Sequence, residues 1–140
     1  MSGAYVDRLF HEEPAGAFQA GYVFRSPSDL TAAQQDPDRG YWHCDVADQD
    51  RLTWSDRVYE LFGLPAGTPI EREWAVGRYS EQSRAALQQL RSFGLKRDWS
   101  FILDAEIEPE GAGSRWIRIL AVPISADGRV VGLHGVKRAL

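Results

Sequence analysis

The sequence contains almost none of the features that mark secreted, membrane-bound or disulfide-stabilised proteins. Cys44 is the single cysteine among 140 residues, which excludes an intramolecular disulfide and fits a reducing compartment. No uninterrupted apolar run approaches the roughly 20 residues that span a bilayer, and the N-terminus lacks the basic-then-apolar order of a signal peptide. We therefore expect a cytoplasmic protein that does not contact a membrane.

Basic residues and catalytic motifs are also scarce. The chain has 16 Lys and Arg against 20 Asp and Glu, a net charge of −4, whereas non-specific nucleic-acid binding needs a basic surface. There is no Gly-rich phosphate loop, no Gly-x-Ser-x-Gly nucleophile elbow and no zinc-ligand spacing. We expect neither a nucleic-acid-binding protein nor an enzyme.

Apolar side chains, by contrast, are abundant, and they follow a strand pattern in the last third of the chain. Residues 99–107 alternate apolar and polar positions, residues 114–124 are apolar on both faces, and residues 129–136 form a third run. Asp127-Gly128 supplies a tight turn between the last two runs. Three antiparallel strands in succession are predicted.

Two shorter strand patterns and a helical region precede these runs. Residues 40–46 and 51–54 read as strands, and the helices fall between Ser55 and Gly94. This order predicts an α+β domain in which a five-stranded antiparallel sheet carries helices on one face. A turn at residues 36–40 divides the chain into an N-terminal extension, 1–39, and the main domain, 40–138.

The extension gives a mixed signal. Val6, Leu9 and Phe10 have helical spacing, so we expect a helical extension that caps the domain or contacts a second copy. Phe18, Ala20, Tyr22 and Phe24 then alternate as in a strand, and Ser26-Pro27 is typical of a helix start. The aromatic content of this segment favours packing against the sheet or a partner chain over a solvated tail.

Five short motifs follow one another along the main domain. They are Gly40-Tyr41-Trp42, Trp54-Ser55 leading into Tyr59-Glu60-Leu61-Phe62-Gly63, Arg115-Trp116-Ile117, Asp127-Gly128-Arg129-Val130 and Leu133-His134-Gly135-Val136. In this order and at these spacings they resemble a PAS domain of the kind common in bacterial sensor kinases. The resemblance implies a sheet of order 2-1-5-4-3, curved around the helices so that a cavity forms.

The chain departs from this family pattern at two places. The His-Pro-Glu-Asp-Arg phrase usual before the long helix is represented only by Glu81 and Arg84. The Asp-Ile-Thr phrase that usually leads into an effector domain is missing, and the chain reads Val136-Lys137-Arg138-Ala139-Leu140. We therefore expect a stand-alone module that signals through contact with another chain.

The implied cavity would have apolar walls with few polar groups, as small-molecule pockets do. Phe62, Trp74, Leu87 and Phe101 are our candidates for its lining. The identity of a ligand stays open, and so does the alternative of a completely filled core.

Cofactor chemistry known in relatives finds little support in the sequence. Light-sensitive flavin-binding relatives use a cysteine in an Asn-Cys-Arg-Phe phrase on a helix, whereas Cys44 lies in a predicted strand, where we interpret it as buried and inert. Haem-binding relatives place their histidine on a helix. His43 and His134 fall on neighbouring strands with no further ligand at suitable spacing. We expect no haem, no cysteinyl-flavin photochemistry and no metal.

The fourth predicted strand carries apolar residues on both faces, so one face needs a cover. Its two sets are Trp116, Leu120 and Val122 on one face and Ile117, Ile119 and Ala121 on the other. Either the N-terminal segment folds back over that face or a second copy covers it. Because large exposed apolar patches mark interfaces, and PAS domains commonly dimerise, we expect both, in a homodimer. We place Val6, Leu9, Phe10, Ile117 and Ile119 in its contact.

These observations favour a sensory, signal-transducing PAS module that binds a small ligand, a partner protein such as a kinase or regulator, or both. One alternative is a structural dimerisation domain with no ligand. Another is a small cavity enzyme of isomerase or hydrolase type, for which His43 and Asp45 are the one acid/base pair close in sequence. Fold analogy alone does not choose among the three.

Overall fold

The computed structural model describes residues 16–18, 21–25, 30 and 39–140. Three helices and seven strands lie in this part of the chain. In chain order they are β1 (Gly16–Phe18), β2 (Gly21–Phe24), β3 (Gly40–Asp45), β4 (Arg51–Trp54), α1 (Asp56–Phe62), α2 (Arg72–Gly77), α3 (Glu81–Arg97), β5 (Ser100–Ile107), β6 (Arg115–Ala126) and β7 (Arg129–Ala139).

The strands form one antiparallel sheet of order β1-β2-β5-β6-β7-β3-β4. The five strands from β3 onward follow the predicted order 2-1-5-4-3, so the α+β fold class and its topology are confirmed. The strand count needs a correction, because β1 and β2 extend the sheet beyond β5. Pairing with β2 satisfies the backbone groups that β5 would otherwise expose at a sheet edge.

Two strands of the extension, β1 and β2, belong to this sheet. β2 pairs with β5 from Gly21 opposite Leu103 to Phe24 opposite Ser100, in the region where the sequence alternates as a strand. Glycine is needed at the start of β2, because a Cβ atom on Gly21 would lie 2.4 Å from the Ile102 carbonyl oxygen. The predicted helix of residues 6–10 and the helix start at residues 26–27 lie outside the described residues.

The helices cover one face of the sheet. α1 starts after Ser55, whose Oγ accepts a hydrogen bond from the backbone N–H of Tyr41 at 2.9 Å and so ties the helix start to β3. It ends at Gly63 in the left-handed conformation, φ 75°, against the backbone of Glu110. No helix among residues 39–140 is long and apolar enough to cross a membrane.

Each face of the sheet has its own apolar core. The larger one lies under the helices and includes Phe62, Leu90 and Phe101, all with 1% exposure or less. The smaller one lies on the outer face. It comprises Phe24, Leu30, Ile102, Leu120, Val122 and Val136, with Tyr41 packed at its margin. We call these the inner core and the outer core.

This arrangement corrects the predicted dimer contact on β6. Ile117 and Ile119 belong to the inner core, with exposures of 0% and 1%, so neither offers surface to a second chain. Alternate side chains of a strand point to opposite faces, and it is Leu120 and Val122 that face outward. The alternation along β6 separates its side chains into two sets, but it does not say which set the helices cover.

Candidate functional site

A cavity lies in the inner core, between helices α2 and α3 and the sheet. The space open to the centre of a water molecule is about 60 Å³, which is room for roughly four to six waters or a compound of a few non-hydrogen atoms. Its walls are Trp42, Cys44, Leu52, Trp54, Arg72, Ala75, Val76, Tyr79, Leu87, Arg91, Phe101, Ile119, Leu133 and Lys137.

Two of the four predicted lining residues, Leu87 and Phe101, form part of these walls. Phe62 and Trp74 lie behind them. The Phe62 ring stacks on Trp54 with centroids 4.6 Å apart, and Trp74 packs against Phe62 at 6.5 Å. These two rings therefore support the wall of the cavity from its outer side.

The unexpected wall residue is Lys137, a lysine with only 8% of its surface exposed. Its ammonium group lies 5.2 Å from the ring centroids of Trp42 and Phe62 and 5.7 Å from those of Trp54 and Tyr79. Its Nζ donates a hydrogen bond to the Tyr79 hydroxyl at 3.1 Å. An amine is thus held inside a box of four aromatic rings, which we call the Lys137 box.

Two opposing effects act on the charge of this lysine. Aromatic faces attract a cation, but burial removes the water that stabilises the ammonium form. Burial dominates and lowers the pKa of Lys137 to about 7, while the nearby Cys44 acts weakly in the other direction. Lys137 is therefore close to the midpoint of its titration at neutral pH. Burial also raises the pKa of Tyr79, so its hydroxyl keeps its proton.

A second polar cluster lies beside the cavity, near the start of β4. The Cys44 thiol donates to Asp50 Oδ1 at 3.7 Å, and Arg91 Nη2 donates to the same oxygen at 2.8 Å. Burial, followed by the Asp50 charge, raises the pKa of Cys44. A protonated thiol is a weak nucleophile, and this agrees with the interpretation of Cys44 as a buried, inert cysteine.

The predicted histidine pair exists, on the opposite face of the sheet. His43 and His134 are register partners on β3 and β7, and the Tyr41 hydroxyl and His134 Nδ1 are 2.8 Å apart. Burial, and then the neighbouring His43, lower the pKa of His134 to about 4, so it is neutral at pH 7. Within the described residues, no three His, Cys, Asp or Glu side chains are grouped to hold a metal ion.

The candidate acid/base pair is on that outer side as well. Trp42 and Cys44 line the cavity, and His43 and Asp45 alternate with them along β3. The two side chains therefore share a face, as expected, but it is the face turned away from the cavity.

Solved structures show which fold this is. The chain is similar to a sensory box histidine kinase/response regulator from Burkholderia thailandensis E264, with TM-score 0.66, 13% identity, and coverage of 81% of this chain and 85% of that one. The N-terminal domain of a diguanylate cyclase with a PAS/PAC sensor from Marinobacter aquaeolei gives TM-score 0.65, 16% identity, and coverage of 72% and 94%. The chain has a PAS fold.

A third similar structure, an RNA-binding light-oxygen-voltage receptor, gives TM-score 0.64 and 17% identity over 74% of this chain. The PAS-fold chain spans 29% of the length of that receptor. No protein-family model matches the sequence, and no curated protein sequence matches it either.

Sequence reasoning missed the polar side of this PAS-fold cavity: Lys137, Tyr79, Arg72 and Arg91. A signal for Lys137 was present. Leu133 on β7 faces the inner core. Alternate residues of a strand point to the same face, so Lys137, four residues later, faces the inner core as well. The predicted strand ended at Val136, whereas β7 continues to Ala139, so the prediction did not include Lys137 as an inward-facing position.

Proposed function

We propose that this PAS-fold chain is a sensory module that binds a small ligand in the inner cavity and transmits its occupancy through contact with another protein chain. The observation that carries the proposal is the Lys137 box, a titratable amine placed at the wall of a cavity between sheet and helices. Polar groups of this kind cost stability when buried, and binding sites are where such groups concentrate. Similar structures include a histidine kinase/response regulator and a cyclase with a PAS/PAC sensor, which supports a sensory role.

The element suited to respond to a ligand is α2. It has six residues, and Ala75 is its one buried residue. Arg72, Ala75 and Val76 nevertheless line the cavity. A short helix with little buried surface is held weakly, so a ligand that contacts it shifts the balance between its packing arrangements.

We place the output contact on the outer side of the sheet. Trp116 is 51% exposed and Leu140 is 59% exposed, and the Leu140 N–H bonds to the Trp116 carbonyl oxygen at 3.1 Å. Two neighbouring apolar residues at the surface suit a protein contact. The partner is a second copy of the chain or a separate signalling protein such as a kinase or regulator, in the cytoplasm. The predicted contact residues Val6, Leu9 and Phe10 lie outside the described part.

Native mass spectrometry of gently purified protein tests this function, together with an absorption spectrum of the same sample. We expect a dimer of the 15.7 kDa chain that carries the extra mass of a small compound. A chain that carries no compound, and whose thermal stability no small molecule changes, would contradict ligand sensing.

The second candidate is a structural dimerisation domain with no ligand. The small size of the cavity favours it, because pockets for drug-sized ligands are about 300–1,000 Å³ and this one is about 60 Å³. A ligand-free dimer in the same spectrum would select it.

The position of His43 and Asp45 on the outer face disfavours the cavity enzyme that relied on them, and we propose no catalytic activity.

A further inference from the structure

The polar atoms in the cavity wall are almost all hydrogen-bond donors. Lys137 has three N–H groups, of which one is donated to Tyr79. Trp42 Nε1 is buried and has no hydrogen-bond partner among the described residues. Arg72 and Arg91 add two guanidinium groups to the same wall. A molecule that satisfies these groups must bring acceptors.

Negative charge on the protein side is scarce. Among the residues that the structure describes, no aspartate or glutamate lines the cavity. Asp50, which contacts two of the wall residues, already accepts hydrogen bonds from Arg91 at 2.8 Å and from the Cys44 thiol. The charges of Arg72 and of protonated Lys137 are therefore left for an occupant to balance.

A basic groove lies next to the cavity. Arg72 and Arg91 line both spaces, so they stand between the cavity and the groove. The groove has a volume of about 350 Å³, and its remaining walls are Gln88, Ser92, Leu95 and Lys96. A groove lined by cations raises the local concentration of small anions and disfavours cations.

The rest of the wall is hydrocarbon. Ala75, Val76, Leu87, Ile119 and Leu133 contribute apolar side chains to a space of about 60 Å³. A fitting compound is therefore short, with one acceptor-bearing end and one apolar end. Among common anions this describes a short-chain carboxylate better than phosphate or sulfate, which have no apolar part.

Building on the proposed function, we propose that the ligand of this cavity is a small monocarboxylate, bound as the anion with its carboxylate toward Lys137 and its short hydrocarbon chain against the apolar wall. Arg72 and Arg91 guide it in and share its charge. The aromatic rings of the Lys137 box hold the ammonium group in place for the anion.

The proposal implies that binding depends on pH. The titratable and charged groups that share the cavity wall with Lys137 are the Tyr79 hydroxyl, the Cys44 thiol, and the Arg72 and Arg91 guanidiniums, and Asp50 is hydrogen-bonded to Arg91. Burial keeps Tyr79 and Cys44 protonated at neutral pH, and guanidinium charges are permanent. Lys137, with a pKa near 7, is the group that changes charge, so affinity should fall about tenfold from pH 6 to pH 8.

Calorimetric titration of the full chain with propionate, propionamide and propylamine, at pH 6 and pH 8, tests this. We expect propionate to bind at least tenfold more tightly than the other two at pH 6 and to lose about tenfold by pH 8. Lys137→Met should lose at least tenfold at pH 6 and abolish the pH dependence. Arg129→Met removes a cation from the exposed far end of the same strand and should change affinity less than twofold.

Circular dichroism checks that each variant is folded, and Arg72→Gln, with an expected loss of three- to tenfold, replaces Lys137→Met if that variant is not. Equal binding of propionate and propionamide, or tighter binding of propylamine, would overturn the carboxylate assignment. So would binding of none of the three. In that case a different compound found by native mass spectrometry would leave the sensory function standing, whereas an unliganded chain would contradict both.

Discussion

The two faces of the sheet both bury apolar side chains, but they are packed differently. The outer core packs apolar side chains, and Leu30 and Phe24 from the N-terminal extension belong to it. The inner core is larger, yet it leaves a cavity and places a lysine at its wall. The two faces therefore differ in what they bury: the inner face has a cavity with a lysine at its wall, and the outer face packs apolar side chains from the sheet and the extension.

The largest expected effect tests whether the outer core is structural. Leu120→Ala removes a side chain with 0% exposure from that core, and we expect it to lower the free energy of unfolding by about 2–5 kcal/mol in urea denaturation. Trp116→Ala, on the same face of the same strand but 51% exposed, is the control and should cost about 1 kcal/mol or less. Equal losses for both variants would mean that the outer face has no core of its own.

The second-largest expected effect is the pH dependence of stability that the buried Lys137 causes on the inner face. Between pH 7.5 and 10 the unfolded chain binds a proton on Lys137 that the folded chain has released, so stability should rise with pH. This one group adds up to about 1.4 kcal/mol per pH unit to the slope. We expect Lys137→Met to remove that contribution and Arg129→Met to keep it, as measured by urea unfolding at several pH values. Parallel slopes for Lys137→Met and the wild type would show that Lys137 is not buried as described.

The smallest effect concerns His134 on the outer face. Its folded pKa of about 4 lies below the ordinary value of 6.5, so its contribution to stability is present above pH 6.5 and is lost as the pH falls toward 4. NMR titration of the imidazole protons should show this low pKa directly. In His43→Gln it should rise slightly, because burial is the larger cause and His43 the smaller. A His134 pKa near 6.5 in the wild type would contradict its burial.

Much of the framework of this fold could be predicted from local patterns. The alternation of β5, the Asp127-Gly128 turn and the glycine that ends α1 each act over a few residues, and all appear in the structure. The pairing of His43 with His134 followed once the sheet order was assumed. The alternation, the turn and the glycine depend on backbone geometry that neighbouring residues determine, whereas the histidine pairing depended on the sheet order that the family resemblance implied.

The remaining features depend on contacts between distant segments. Alternation along β6 divides its residues into two sets, but only the position of the helices shows that Ile117 and Ile119 are the covered set. The pairing of β2 with β5 joins residues about eighty positions apart. The polar wall of the cavity brings together side chains from two helices, a loop and the last strand, and no local pattern relates Arg72 to Lys137.

Strand β7 lies inside the sheet and is bonded to β6 on one side and to β3 on the other. Lys137 belongs to the cavity wall, and Val136, the residue before it, is fully buried in the outer core. Consecutive strand residues are about 3.3 Å apart. One peptide unit therefore connects the two faces, and a backbone movement of Lys137 on ligand binding would displace Val136 as well. The cavity side and the outer core are therefore connected through two adjacent residues of one strand.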